Sequence, residues 1–170
     1  MYVDRDCCNQ DGDSATGRTF AGCPDLFVRL DIWHFIRRFS SACTTDCHPL
    51  YSVFLSKLST CIFEWDKDNL ALLNDAKRAE MHQEHRYDVS EEDVIRALSS
   101  KELAKHCRRK TRGVAATTRL IDSLIEVLDS EQGSYTMGVP LFNHKRMEST
   151  WIAQRNHVGC IQDVEGYQLY

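Results

Sequence analysis

Four groups of residues in this chain have the types and spacing to do chemistry. Asp4 and Asp6 stand two apart in YVDRDCC, just after a short apolar pair. Carboxylates at the C-terminal end of a strand sit where open sheets bind their ligands, and two or three together can hold magnesium for phosphoryl transfer. The same run also suits a plain Asp-rich turn. Asp31 and His34 lie three apart in LFVRLDIWHFIRRFS, where an apolar stretch passes into a helical pattern. Asp31 fits an N-cap there, its carboxylate facing free backbone N–H groups at the positive end of the helix, with His34 one turn on. His34, Arg37, Arg38 and Ser41 then share a polar face that can meet phosphate or water.

The third group is basic. From Lys101 to Arg119 there are seven Lys or Arg and one acid, Glu102. Taken as one helix running to about Arg112, the segment aligns Lys101, Lys105, Arg108 and Arg112 in a stripe, with Arg109 and Lys110 beside it. In a chain of net charge −4, this local asymmetry points to a phosphate-backbone surface; a solvated helix face is the plain alternative. A short helix, a turn and this basic helix also permit a helix-turn-helix between Ser90 and Arg112.

The fourth group is thiols, eight in all. CTTDCH gathers Cys43, Cys47 and His48, but zinc takes four ligands and no second pair stands at a usual spacing. Cys7 and Cys8 are adjacent, and His106 and Cys107 lie in the basic run. A zinc site is therefore not expected. Cys23, Cys43 and Cys160 show no ordered Cys-His-Asp arrangement, so a nucleophile is not expected either. Most thiols, such as Cys61, fall in apolar or helical positions and are expected as small core residues.

These residues need elements to position them. Tyr2–Asp4 and Leu26–Leu30 pattern as short strands, with a polar, Gly-rich loop from Asn9 to Thr19 between them. Ile32, Phe35, Ile36 and Phe39 recur at helical spacing. A helix from about Pro49 carries Leu50, Val53, Phe54, Leu58, Cys61 and Ile62 on one face. Asp66 can cap another, bearing Leu70, Leu73, Ala76 and Met81. Ser90 with Asp93, and Ser99 with Glu102, read as two capping boxes. Gly113 can end the second of these helices. A longer helix follows with Leu120, Ile121, Leu124, Val127 and Leu128 inward, closed by Gly133, and a last helix runs from about Asn143 to Cys160. The fold class expected is mainly α with a minor β part: two short parallel strands and six or seven helices.

With 170 residues, 42% apolar and 27% charged, the composition is that of one ordinary globular domain. The first residues lack the basic and apolar regions of a secretory signal, and no apolar run reaches the roughly 18 residues of a membrane span. The expectation is an intracellular protein, nuclear or cytoplasmic, with reduced thiols and no membrane partner. The abrupt strand at the start and the extended run at the end read as a piece of something longer.

YVDRDCC followed by LFVRLDIWHFIRRFS resembles the catalytic core of cut-and-paste DNA transposases with an RNase H-like fold, closest to the Mutator-like and hAT-like branches and to transposon-derived proteins. In that family the second catalytic Asp ends a strand, and a Cys- or Asp-x-x-His motif follows at the next strand-to-helix junction. DIWH matches the motif, and HCRRKTRG and WIAQRNHVGCIQD are similar to segments of such proteins. The resemblance implies that Asp4 is a catalytic, metal-binding acid. Asp31 and His34 would brace the junction beside the metal without binding it. Residues 1–48 would be a partial RNase H-like core, and residues 49–170 the helical insertion of about six helices, packed as one unit with the first part. It implies magnesium in a complete protein and DNA as partner, met through the phosphate backbone by Arg37, Arg38, Lys101, Lys105, Arg108, Arg109, Lys110 and Arg112. The family's first Asp belongs to an earlier strand and its final Glu follows the insertion, where only Asp163 and Glu165 stand. With one of three acids recognisable, the chain is expected to bind DNA but not to cut it alone. Alternatives are a non-enzymatic DNA-binding module and a helical interaction protein. The unpaired edge of the first strand invites self-association.

Overall fold

The structure is a computed structural model and describes residues 1–8, 14–23, 25–134 and 138–164. Strand β1 (Tyr2–Val3) pairs in parallel with β2 (Arg29–Leu30), Tyr2 opposite Arg29 and Val3 opposite Leu30. Both strands are shorter than the sequence pattern suggests. Between them Ser14 accepts from the Gly17 N–H and caps a short helix, α1 (Ala15–Thr19), where a loop is expected. Helix α2 (Ile32–Ser40) follows β2 at once, capped by Asp31, and buries Ile32, Phe35 and Phe39.

Helix α3 (Tyr51–Ile62) buries Phe54, Leu58, Cys61 and Ile62 and leaves Val53 exposed. It runs into β3 (Phe63–Trp65), a strand absent from the sequence-based expectation. Asp66 then caps α4 (Lys67–Gln83). Ser90 and Ser99 form the two expected capping boxes, opening α5 (Glu91–Ala97) and α6 (Ser100–His106).

The largest departure comes next. Helix α6 stops at His106, and Arg109–Thr111 form β4, antiparallel to β3 with Phe63 opposite Thr111 and Trp65 opposite Arg109. The continuous basic helix to Arg112 does not exist, and with it goes the stripe of Lys101, Lys105, Arg108 and Arg112. Cys107 is buried as the helix C-cap, so the backbone turns extended to put that thiol inside. The ladder to β3 then satisfies the backbone groups the helix would have used. Gly113, at φ 85° and ψ 158°, opens the following helix rather than ending the preceding one.

Helix α7 (Val114–Leu128) buries Thr117 and Ile121. Its end is at Leu128, and Gly133 closes a separate 3-10 turn over Glu131–Gly133. The last expected helix is divided: α8 (His144–Arg155) is followed by its C-cap Asn156, and Val158–Ile161 form a 3-10 turn.

One core joins these elements. Leu30, Phe35, Phe39, Phe54, Leu58, Ile121, Phe142, Trp151 and Ile161 belong to a single buried cluster. Helix α2 packs on α3 and α8, and α3 packs on α7. Helices α4, α5 and α6 form a lobe beside it, where Met81 and Val94 are buried. Lys77 bonds Glu102 at 3.0 Å across that lobe, and Arg78 pairs with Glu91. No helix among the described residues is long and apolar enough to cross a membrane.

Candidate functional site

The corner at the C-terminal end of β1 and β2 gathers the first two groups of candidates. Because the strands are parallel and in register, Asp4 and Asp31 follow them at the same edge, and the Asp31 N–H donates to the Val3 carbonyl at 2.9 Å. Asp31 works as a cap: its Oδ1 accepts from the His34 N–H at 3.0 Å. His34 Nδ1 stands 3.3 Å from the same oxygen. Arg37 lies over the Trp33 ring, 4.8 Å from its centroid. Arg38 reaches across the corner, donating to the Asp4 carbonyl and, at 2.8 Å, to Gln154 Oε1 on α8.

Among the described residues this corner does not gather several free carboxylates. A magnesium site needs several oxygen ligands fixed around the ion. Here Asp31 is committed to the helix N-terminus, and the Arg38 guanidinium bonds the Asp4 backbone itself. Asp6 is drawn away: its carboxylate accepts from the Thr16 and Ala15 N–H groups and the Thr16 hydroxyl, which hold it below the usual carboxylate range. Asp163 lies elsewhere, accepting from the Thr111 N–H at 2.7 Å and the Thr111 hydroxyl at 3.1 Å. Glu165 lies outside the described residues.

The basic candidates divide. Lys101 and Lys105 are exposed on α6, and Arg108 and Arg109 are exposed at the start of β4. Arg109 lies over Trp65, 4.9 Å from the ring centroid. Lys110 and Arg112 are engaged inside the chain, Lys110 with Asp66 at 3.6 Å and Arg112 with Glu64 at 3.0 Å and the Thr60 carbonyl at 2.9 Å. The surface is thus a cluster around a helix end and a short strand.

The CTTDCH residues are structural. His48 is buried with both ring nitrogens used: Nε2–H donates to the Val139 carbonyl at 3.1 Å, and Nδ1 accepts from the Leu50 N–H at 3.1 Å. Cys43 is half-buried, and burial pushes its thiol up to about 11. Cys47 is exposed.

A different set of thiols comes together. Cys7, Cys8, His157 and Cys160 place one ligand atom each within 4.8 Å of all the others. His157 Nδ1 is 3.3 Å from both the Cys7 and the Cys8 sulfur, Cys8 Sγ is 3.1 Å from Cys160 Sγ, and Cys7 Sγ is 3.9 Å from Cys8 Sγ. Such a set can hold a metal ion. The backbone builds it from both ends. Asp6 takes a left-handed conformation at φ 60°, which re-aims the chain after β1, and its carboxylate ties that turn to α1. On the other side the Cys160 N–H donates to the His157 carbonyl at 2.9 Å, curling the 3-10 turn so that both side chains face one way. Arg29 Nη1 donates to the Gly159 carbonyl at 3.0 Å and fixes that turn against β2.

The thiols perturb one another. Hydrogen bonding from Cys160, together with His157 nearby, draws Cys7 down to about 5 against the opposing effect of burial. Cys8 is pushed up chiefly by burial, and Cys160 is pushed up by its bond to Cys7 and by burial.

CxxC spacing does not mark this set. The His-x-x-Cys spacing of His157 and Cys160 was the available signal; its partner, an adjacent Cys pair some 150 residues away, follows no linear spacing rule. Compared with family models, with curated proteins and with solved structures, the chain matches none.

Proposed function

We propose that the chain is a segment of an RNase H-like, transposon-derived DNA transposase core that contacts DNA phosphate and does not itself cut or join strands. The observation that supports this best is the parallel pairing of β1 and β2. It brings Asp4 and the Asp31-x-x-His34 turn to one edge, the placement the family resemblance leads one to expect. Catalytic silence follows from the corner's chemistry. Two-metal phosphoryl transfer depends on several carboxylates fixing both ions, whereas at this corner Asp31 is a cap and Asp6 is bound to the start of α1, leaving Asp4 as the one carboxylate.

DNA contact falls to the exposed cations Lys101, Lys105, Arg108 and Arg109, with Arg37 and Arg38 near the corner. Charge without base readout gives affinity by counterion release, so binding is independent of sequence and falls steeply with salt. Trp65 beneath Arg109 holds that guanidinium in place and offers a face on which an unpaired base can stack. Lys110 and Arg112, already paired, contribute little.

The test is fluorescence-anisotropy titration of labelled duplexes of unrelated sequence over a salt series, with wild type and the Lys105→Glu, Arg108→Glu, Arg109→Glu variant. Similar affinities for all duplexes, a linear fall of log K with log salt, and loss of binding in a variant that melts like wild type are expected. Binding that survives the triple change at moderate salt would place the contact elsewhere. Incubation with magnesium or manganese and transposon-end DNA, beside Asp4→Asn, is expected to give no nicking; nicking lost in Asp4→Asn would overturn the inactive reading.

A further inference from the structure

We propose that Cys7, Cys8, His157 and Cys160 bind one zinc ion in a closed structural site that staples the turn after β1 to the 3-10 turn after α8. The proposal stands independently of the transposase reading. Its first support is geometry. Zinc takes thiolate sulfur at about 2.3 Å and imidazole nitrogen at about 2.0–2.1 Å in a tetrahedron, so sulfurs around one ion stand about 3.8 Å apart. Four of the six separations are 3.1 and 3.9 Å between sulfurs and 3.3 Å from each of two sulfurs to Nδ1, at or inside the spacing around one ion, and all six lie within 4.8 Å. Small rotations of the side chains complete the tetrahedron.

The second support is the donor set. Three sulfurs and one imidazole select zinc over the hard cations magnesium and calcium. Four protein ligands fill the tetrahedron and leave no position for substrate or water, which is the pattern of a structural site. Binding deprotonates the thiols that remain protonated and releases those protons to solvent, while His157 binds as the neutral ring through Nδ1.

The third support is that the ligands are placed by separate devices. Adjacent residues on an extended strand point to opposite faces, so Cys7 and Cys8 can reach one ion only where the chain bends. The left-handed Asp6 and the bend at Cys7 provide this. His157 and Cys160 share a face through their own turn, and Arg29 holds that turn from β2. None of the other described cysteines shares this arrangement: Cys23 and Cys47 are exposed, and His48 beside CTTDCH has no free nitrogen.

The test uses the full chain, purified under reducing conditions. Elemental analysis is expected to give one zinc per chain. Exchange for cobalt is expected to give the intense visible bands of a tetrahedral site and a near-ultraviolet thiolate charge-transfer band. Cys8→Ser and Cys160→Ser are expected to weaken zinc in competition with a chromophoric chelator by more than about 100-fold, beyond the cost of losing an outer partner of a metal ligand. Cys23→Ser and Cys47→Ser leave affinity unchanged, and His157→Cys retains the ion. Chelation of wild type lowers its melting temperature by roughly 10 °C. A reduced wild-type chain that takes up neither zinc nor cobalt overturns the proposal whatever the variants do. So does metal that persists in Cys8→Ser and Cys160→Ser, or a Cys8–Cys160 disulfide that forms while the reduced chain stays metal-free.

Discussion

The Glu102 carboxylate shows how single residues set local stability. It accepts from the Ser99 hydroxyl and N–H and from Lys77, which together hold its pKa down to about 2. A depressed acid stabilises the fold above its ordinary pKa, and that contribution fades as pH falls toward about 2. Ser99→Ala, which removes the hydroxyl and keeps the N–H, is expected to raise the Glu102 pKa part of the way to the ordinary carboxylate range in an NMR titration; an unchanged value would assign the effect to the residue-99 N–H and Lys77. His144 has the opposite sign. Its ring pairs with Asp129, which raises its pKa. The pair therefore stabilises below the ordinary His pKa, and the effect is lost as pH rises through the raised value. Asp129→Asn is expected to bring the His144 titration back toward its usual midpoint, and an unmoved midpoint would show that the pair is not formed in solution.

At the scale of elements, Gly113 is the hinge of the β3–β4 arrangement. Its φ of 85° and ψ of 158° lie in a region open to Gly almost alone. A Cβ there meets no neighbour within 4 Å, so the penalty is conformational. Gly113→Ala is expected to cost on the order of 1–3 kcal/mol in urea unfolding; a cost near zero would mean that the junction relaxes freely. Gly113 also donates to Gln162 Oε1 at 2.8 Å, and Asp163 clasps Thr111. The segment after the 3-10 turn therefore anchors both β4 and the start of α7, and the proposed zinc ion sits at the other end of that turn.

For the whole molecule, the main question is whether the two segments marked off by the sequence can part. The α2 face of Ile32, Phe35 and Phe39 joins Phe54, Leu58, Phe142 and Trp151 in one cluster, with the Phe39 and Trp151 rings 5.9 Å apart. Cutting at residue 48 removes that face from the helices that cover it. Residues 49–170 alone are expected to show no cooperative thermal transition and no near-ultraviolet circular dichroism of packed aromatics. A sharp transition in that piece would establish an independent unit. Within the intact chain, Phe35→Ala, at a fully buried position, is expected to cost about 3–5 kcal/mol in urea unfolding; a cost below about 1 kcal/mol would mean that the core there collapses around the loss.

The sequence by itself determined the elements that rest on local rules. Asp31, Asp66, Ser90 and Ser99 cap the helices that their spacing predicts, because a cap depends on residues two or three apart. The Phe35 and Phe39 face was legible for the same reason, since one helical period places both inward. Tertiary structure alone decided what depends on distant partners. Arg109–Thr111 form a strand because β3 lies ready to pair with them, against a local pattern that reads as helix. Cys7 and Cys8 meet His157 and Cys160 because β1, β2 and the last 3-10 turn pack together. A linear search could see the His-x-x-Cys half; only the packing of the chain's two ends brings the four ligand atoms within reach of one ion.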